Sequence, residues 1–346
     1  MKILAIDVGT GTEDILLYDT EKEIENSLKM VIPSPHLKIS KLIEKSENDI
    51  YFDGVIMGGG HIKQSCQEHL NKGYKIVFND LAARTIRDDL DQVRSYGFEI
   101  AQEKSDEFKD YDVISLKDVD VNEIIDIFSQ FELDLQVDEI AIAVQDHGYS
   151  EDMGDRDFRF EKIREKLDSP KAPEVFAMEY DEVPEYFTRM QSVIKSLESQ
   201  TDIKPVIMDT KFASIVGMCY DDYVADLKSY IVMDIGNGHT TVASIEDGLI
   251  QGVFEHHTSS LTPDRFEELV NLLADGTIKH EDVYCEGGHG AFALNPISKI
   301  EKVIVAGPRR GIIEDTNMDY YYATPAGDVM MTGTVGLVKS MEYLRK

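Results

Sequence analysis

Apolar residues in this chain come in short blocks of strand length, separated by longer stretches of mixed polarity, which is the pattern of an α/β protein. Strands are predicted over "KILAIDV" (2–8), "DGVIMGG" (53–59), "YKIVFND" (74–80), "EIAIAVQD" (139–146), "PVIMDT" (205–210), "YIVMDIG" (230–236) and "KVIVAG" (302–307). Several are apolar at successive positions, so both faces are covered and these strands belong inside a sheet. Helices are predicted over "SCQEHLNKG" (65–73), "DVNEIIDIFSQFEL" (120–133) and "DRFEELVNLLADG" (264–276), where apolar positions recur every three or four residues. The first and last run into glycine, a common helix C-terminus. Residues 147–173 mix Gly, Pro and many charges with little periodicity before "FRFEKIREKL", and read as a surface excursion.

One detail breaks the apolar pattern. In "AIDVGTGTEDILLYD" (5–19) the first strand ends in an acid, turns through glycine and threonine, and enters a second apolar run. The same arrangement returns in "YIVMDIGNGHTTVASIEDG" (230–248), with Asp234, Gly236 and Gly238 in the register of Asp7, Gly9 and Gly11. A single D-x-G-x-G would read as a tight hairpin. Two copies, a domain's length apart and each ending an apolar strand, predict two related lobes. A chain of 346 residues also exceeds what one hydrophobic core usually holds. The predicted division is an N-terminal lobe with insertions over 1–226 and a C-terminal lobe over 227–346. In its last helix, Gly333 and Gly336 call for close packing across the lobe interface, and Asp328 is placed as its cap.

The residue types at the two turns suit a polyphosphate. Glycine after a strand end lets main-chain N–H groups approach an anion without a Cβ in the way, and threonine adds a hydroxyl donor. The candidate phosphate-binding residues are Gly9, Thr10, Gly11 and Thr12 in the first turn, and Gly236, Asn237, Gly238, His239 and Thr240 in the second. An acid beside such a cradle would repel phosphate, by about 4 kcal/mol at roughly 4 Å and an effective dielectric of 20. Asp7 and Asp234 are therefore assigned to Mg²⁺, directly or through its water shell. The chain has no G-x-x-x-x-G-K-[ST] loop, so no lysine of that motif supplies positive charge and the metal is expected to do so. "VIMGGGHI" (55–62) reads equally as an anion nest at a helix N-terminus or as a flexible turn.

These elements, in this order, resemble the actin, sugar-kinase and heat-shock-chaperone ATPase superfamily, abbreviated ASKHA. The resemblance implies an α/β fold of two ribonuclease-H-like lobes with Mg-ATP in the cleft between them. "IDVGTGTE" and "MDIGNGHTT" match its two phosphate loops. "MDTKFASIVGMCYDD" matches its connecting element and nominates Asp209 as a catalytic residue that orients water, while from the residues alone Asp209 or Thr210 is a helix N-cap. "VIVAGPRRG" matches its adenosine element and nominates Gly307, Arg309 and Arg310 for the nucleoside, with Pro308 and the arginines departing from the usual paired glycines. More narrowly the sequence is similar to an archaeal and bacterial family sometimes labelled pyruvate formate-lyase activating. A radical enzyme of that kind needs three closely spaced cysteines for its cluster, and Cys66, Cys219 and Cys285 stand far apart, which excludes the label as a literal activity.

The expected function is binding of Mg-ATP with hydrolysis, or with transfer of its γ-phosphoryl group to a small acceptor. Two alternatives stay open: a nucleotide-responsive binding or assembly protein with negligible turnover, and a metal-binding protein that has lost nucleotide. His147, His256, His257 and His289 are expected to be unrelated packing or surface residues rather than a converging transition-metal or acid–base site, with the adjacent pair on opposite faces of a strand. A net charge of −31 argues against nucleic acid and anionic membranes as partners. With no span of membrane length and no leader pattern, the expected location is the cytoplasm. The oligomeric state is left open.

Overall fold

The computed structural model describes residues 1–102, 104–130 and 136–346. The chain starts with an antiparallel meander of β1 (Lys2–Val8), β2 (Thr12–Asp19) and β3 (Leu28–Pro33). It then builds a separate parallel sheet from β4 (Ile50–Gly54), β5 (Ile76–Phe78), β6 (Glu99–Ile100) and β7 (Asp112–Leu116), in the order β6-β5-β4-β7. It returns through β8 (Glu139–Val144), β9 (Met178–Glu179) and β10 (Val206–Asp209) to complete a sheet of order β3-β2-β1-β8-β10-β9. The second half repeats the plan with β11 (Ser229–Ile235), β12 (His239–Glu246), β13 (Leu249–His257), β14 (Gly290–Ala293), β15 (Val303–Ala306) and β16 (Tyr320–Tyr322). Their order is β14-β13-β12-β11-β15-β16.

In each large sheet a three-strand antiparallel meander lies beside strands parallel to its first member: β8 along β1, and β15 along β11. That shared order is the one expected of a ribonuclease-H-like lobe, and it occurs twice in this α/β fold. The parallel strands are buried along almost their whole length, which explains their continuous apolar sequences.

The helices Thr210–Cys219 and Thr332–Leu344 cross between the lobes. A Cβ on Gly217 would collide with the Thr332 carbonyl, and one on Gly336 with the Ala213 carbonyl. These glycines set how closely the two helices approach, as the sequence pattern of the last helix predicts. Asp328 caps the short turn Val329–Met331 that leads into that helix, one step earlier than expected.

Three elements differ from expectation. The strand predicted over 53–59 ends at Gly54, where φ is +97° and a Cβ would collide with the Leu116 backbone. The remainder leaves the sheet as a loop toward the helix Ile62–Asn71. The helix predicted over 120–133 spans Val121–Ser129, capped by Asp120, and its last three predicted residues lie outside the described residues. The expected surface excursion at 147–173 contains the helix Asp155–Lys166, which buries Phe158, Arg159, Phe160 and Ile163. The misreading has a physical cause: one of its inward positions is an arginine, so the apolar face is interrupted.

Candidate functional site

The two acidic hairpins close in the same way. Gly9 N donates to Thr12 O at 2.9 Å and Gly236 N donates to His239 O at 3.0 Å. They also meet, since a Cβ on Gly11 would collide with the side-chain amide of Asn237. Between them lies a cavity of about 200 Å³ whose walls include Gly9–Thr12, Gly236–His239, Asp7, Asp14 and Asp234. The loop Gly58–Gly60 joins the wall. It is fixed by Asp118, which accepts from Gly58 N at 3.0 Å and forms a two-point ion pair with Arg189 at 2.8 and 2.9 Å. Gly307 and Pro308 complete the wall after β15. Gly307 has φ +95°, and a Cβ there would meet the Ile235 carbonyl and the Asp234 carboxylate.

Three buried carboxylates thus face one cavity. Burial and then the charge of Asp14 push the Asp7 carboxyl well above the ordinary range, against a 2.5 Å hydrogen bond from Thr210 Oγ1. Burial raises Asp14 to about 7, and its Oδ1 has no hydrogen-bond partner. Asp234 is different: Lys211 Nζ lies 2.6 Å from its Oδ2 and 3.0 Å from the His239 carbonyl. The expectation that only a metal brings positive charge here is therefore corrected, because Lys211 already neutralises Asp234. A hard cation would satisfy the free oxygen of Asp14 and relieve the repulsion at Asp7. Carboxylate and hydroxyl oxygens are the donors Mg²⁺ prefers, so these residues fit it.

Several nominated residues are not on this cavity. Asp209 accepts from Lys211 N at 3.0 Å as the helix N-cap. Both of its oxygens also bond the Arg159 guanidinium, at 2.7 and 3.2 Å, and it lines a separate cavity with Phe176 and Tyr186. In this structure it is a helix cap and the partner of a buried arginine, set back from the cavity wall. Thr240 is fully buried and hydrogen-bonds Thr258 at 3.0 Å, which in turn donates to the Gly236 carbonyl at 2.8 Å, so it supports the turn from behind. Arg310 folds back to the Gly307 carbonyl at 3.2 Å and over the Tyr322 ring. Arg309 ties the turn through its backbone N–H to the Ile235 carbonyl at 3.0 Å, and neither arginine side chain reaches the cavity.

The residues missed from sequence are Asp14, Lys211, Arg159 and Glu255. Asp14 had a signal, an acid opening a buried strand, and so did Lys211, a lone lysine in a small-residue helix. Glu255 is fully buried in β13 and pairs with Arg159 at 2.8 Å. Burial alone would raise its carboxyl, and Arg159 overrides that and holds it far below the usual range. Arg159 thus joins Asp209 of the first lobe to Glu255 of the second.

The expectation of unrelated histidines is overturned for His147 and His289, which converge with His239. One ring nitrogen from each of His147, His239 and His289 lies within 4.8 Å of the other two, and His257 packs beside them, tilted, with its ring centre 4.7 Å from that of His239. Burial pushes His147, His239 and His289 down to about 3, so all three rings are neutral near pH 7. His256 lies apart, 3.9 Å from Glu286, in keeping with strand alternation. Among the described residues, no helix is long and apolar enough to cross a membrane.

A family model described as "Putative pyruvate format-lyase activating enzyme (DUF1786)" matches residues 57–312. Curated protein sequences give no match. Among solved structures, the chain is similar to an inorganic polyphosphate/ATP-glucomannokinase from Arthrobacter sp. strain KM, with 12% identity, 100% and 99% of the two chains covered and a TM-score of 0.38. It is also similar to the ethanolamine utilization protein EutJ from Carboxydothermus hydrogenoformans, with 11% identity, 97% and 89% covered and a TM-score of 0.37. A third is the activator of 2-hydroxyisocaproyl-CoA dehydratase from Clostridium difficile with bound ADPNP, with 8% identity, 100% and 97% covered and a TM-score of 0.35.

Proposed function

The chain belongs to the family of that description, and from the geometry of its cleft we propose that it binds Mg-ATP between the lobes and either hydrolyses it or passes the γ-phosphoryl group to a small acceptor. The observation that carries this reading is the meeting of Gly11 and Asn237, from two hairpins of like construction, over three buried carboxylates and one lysine. Main-chain N–H groups within the two turns would take the phosphate oxygens, apart from those of Gly9 and Gly236, which close the hairpins. Asp7 and Asp14 would hold Mg²⁺, which when bound neutralises phosphate charge. Asp234 fixes Lys211 at the second turn, where its ammonium adds to that neutralisation.

A radical activating enzyme would need clustered cysteines, and those of this chain lie apart. Cys66 is packed in the core of the small parallel sheet, Cys219 ends a helix between the lobes, and Cys285 is exposed. Phosphoryl transfer needs mainly positioning and electrostatic stabilisation; the two glycine turns would supply the first, and Lys211 with a cation held by Asp7 and Asp14 the second. For the acceptor, the same cavity offers His36, Arg189 and the Gly58–Gly60 loop.

Calorimetry of Mg-ATP with the parent and with Asp7→Asn tests the binding step. A loss of affinity of at least tenfold is expected, and equal binding would remove the assigned site. Phosphate and ADP release, with and without a metabolite panel, then separates hydrolysis from transfer and both from a binding protein without turnover.

A further inference from the structure

Three imidazoles from two lobes meet beside the phosphate cleft. His147 follows β8 in the first lobe, whereas His239 opens β12 and His289 precedes β14 in the second. Nε2 of His147 stands 3.1 Å from Nε2 of His289, and the nearest nitrogen of His239 is within 4.8 Å of both. A tetrahedral ion with nitrogen ligands at about 2.0–2.1 Å separates neighbouring ligand atoms by roughly 3.3 Å. Two of the three rings are already at that spacing and the third is within reach.

The surroundings suit a cation. His289 Nδ1 is buried without a hydrogen-bond partner and lies 3.5 Å from Glu255 Oε1. Turning that nitrogen to the carboxylate presents Nε2 to an ion, the arrangement in which a carboxylate orients a metal-binding histidine. Glu255 is held in turn by Arg159 and by Thr241 Oγ1 at 3.2 Å. Arg159 faces two carboxylates, Asp209 and Glu255, so this buried group carries one negative charge in excess. A divalent ion a few ångströms away would offset it.

We infer that His147, His239 and His289 form a site for one first-row divalent metal ion that favours nitrogen donors, with Zn²⁺ the best match, shared between the two lobes at the wall of the phosphate cleft. Three histidines leave a coordination position for water or substrate, the ligand count of catalytic rather than structural zinc. Because His239 lines the cleft, that ion adjoins the region assigned to phosphate. It is distinct from the Mg²⁺ site, whose donors are carboxylate oxygens. Held by both lobes, it also restrains opening of the cleft.

The test uses the full chain without a histidine tag, stripped with chelator and titrated with Co²⁺ alone, then with Zn²⁺ in competition. One equivalent is expected, with the intense visible bands of four-coordinate Co²⁺ that Zn²⁺ abolishes. In the His147→Ala, His289→Ala double variant affinity should fall at least 100-fold while circular dichroism stays that of the parent. Glu255→Gln should weaken binding about 10- to 100-fold. Absence of saturable binding, or equal affinity in the double variant, overturns the site. So does binding lost in Asp7→Asn, Asp14→Asn and retained in the histidine variant, which would put the ion on the carboxylates. No nucleotide is present, so the outcome is independent of the ATP reading.

Discussion

Asp14 has an oxygen that nothing in the protein satisfies, and burial raises its carboxyl to about 7. In the unfolded chain an aspartate loses its proton near pH 4. Between about pH 4 and 7 the folded protein therefore holds a proton the unfolded chain has lost, and stability falls as pH rises, levelling off above 7. In metal-free protein, Asp14→Asn should remove that part of the slope and stabilise the fold above pH 7, by up to about 4 kcal/mol. Urea unfolding of both proteins at pH 5, 6, 7 and 8 checks this, and parallel profiles would contradict it. Mg²⁺ competes with the same proton, so its affinity should increase from pH 6 to 8 in the parent, and the variant should keep only the part of that dependence that Asp7 contributes. At this scale the sequence is informative where chemistry is local. Asp7 and Asp234 stand out because an acid followed by glycine at a strand end is readable in five letters. Arg159 and Glu255 do not, because they are 96 residues apart and nothing in either neighbourhood announces the other.

The helix Asp155–Lys166 shows the same limit one level up. Its buried face consists of Phe158, Phe160, Ile163 and one charged side chain, Arg159, which is 3% exposed. Hydrophobic periodicity registers apolar faces, so a helix whose inward position is an ion-pair hub reads as solvated. The helix matters because Arg159 binds Asp209 at 2.7 Å and Glu255 at 2.8 Å, tying the lobes together behind the cleft. Removing one member of a buried ion-pair group leaves uncompensated charge, at a cost of about 3–5 kcal/mol. Arg159→Met should accordingly lower the urea midpoint well beyond an exposed control such as Arg94→Met, whose partner Asp91 is 92% exposed. Equal midpoints would deny Arg159 its role. The close approach at Gly336 was legible by contrast, since Gly333 and Gly336 pair inside the last helix, whereas Gly217 on the facing helix was not singled out.

For the molecule as a whole, duplication was the strongest message in the sequence. Two strand–acid–glycine hairpins predicted two lobes, and the two large sheets share one strand order. The small parallel sheet β4–β7 was not foreseen as a unit, because its strands are short and β6 has only two residues. Its loop Gly58–Gly60 nevertheless reaches the cleft. What unites these parts is the placement of both hairpins on one cavity, and the claim that a polyphosphate occupies it. A crystal structure with Mn²⁺ in place of Mg²⁺ and a non-hydrolysable ATP analogue tests that claim most directly, using the anomalous signal of the ion. The account predicts an Mn²⁺ peak at Asp7 and Asp14, with the β- and γ-phosphates between Gly9–Thr12 and Gly236–His239. Phosphates bound elsewhere, or a peak away from both carboxylates, would contradict it.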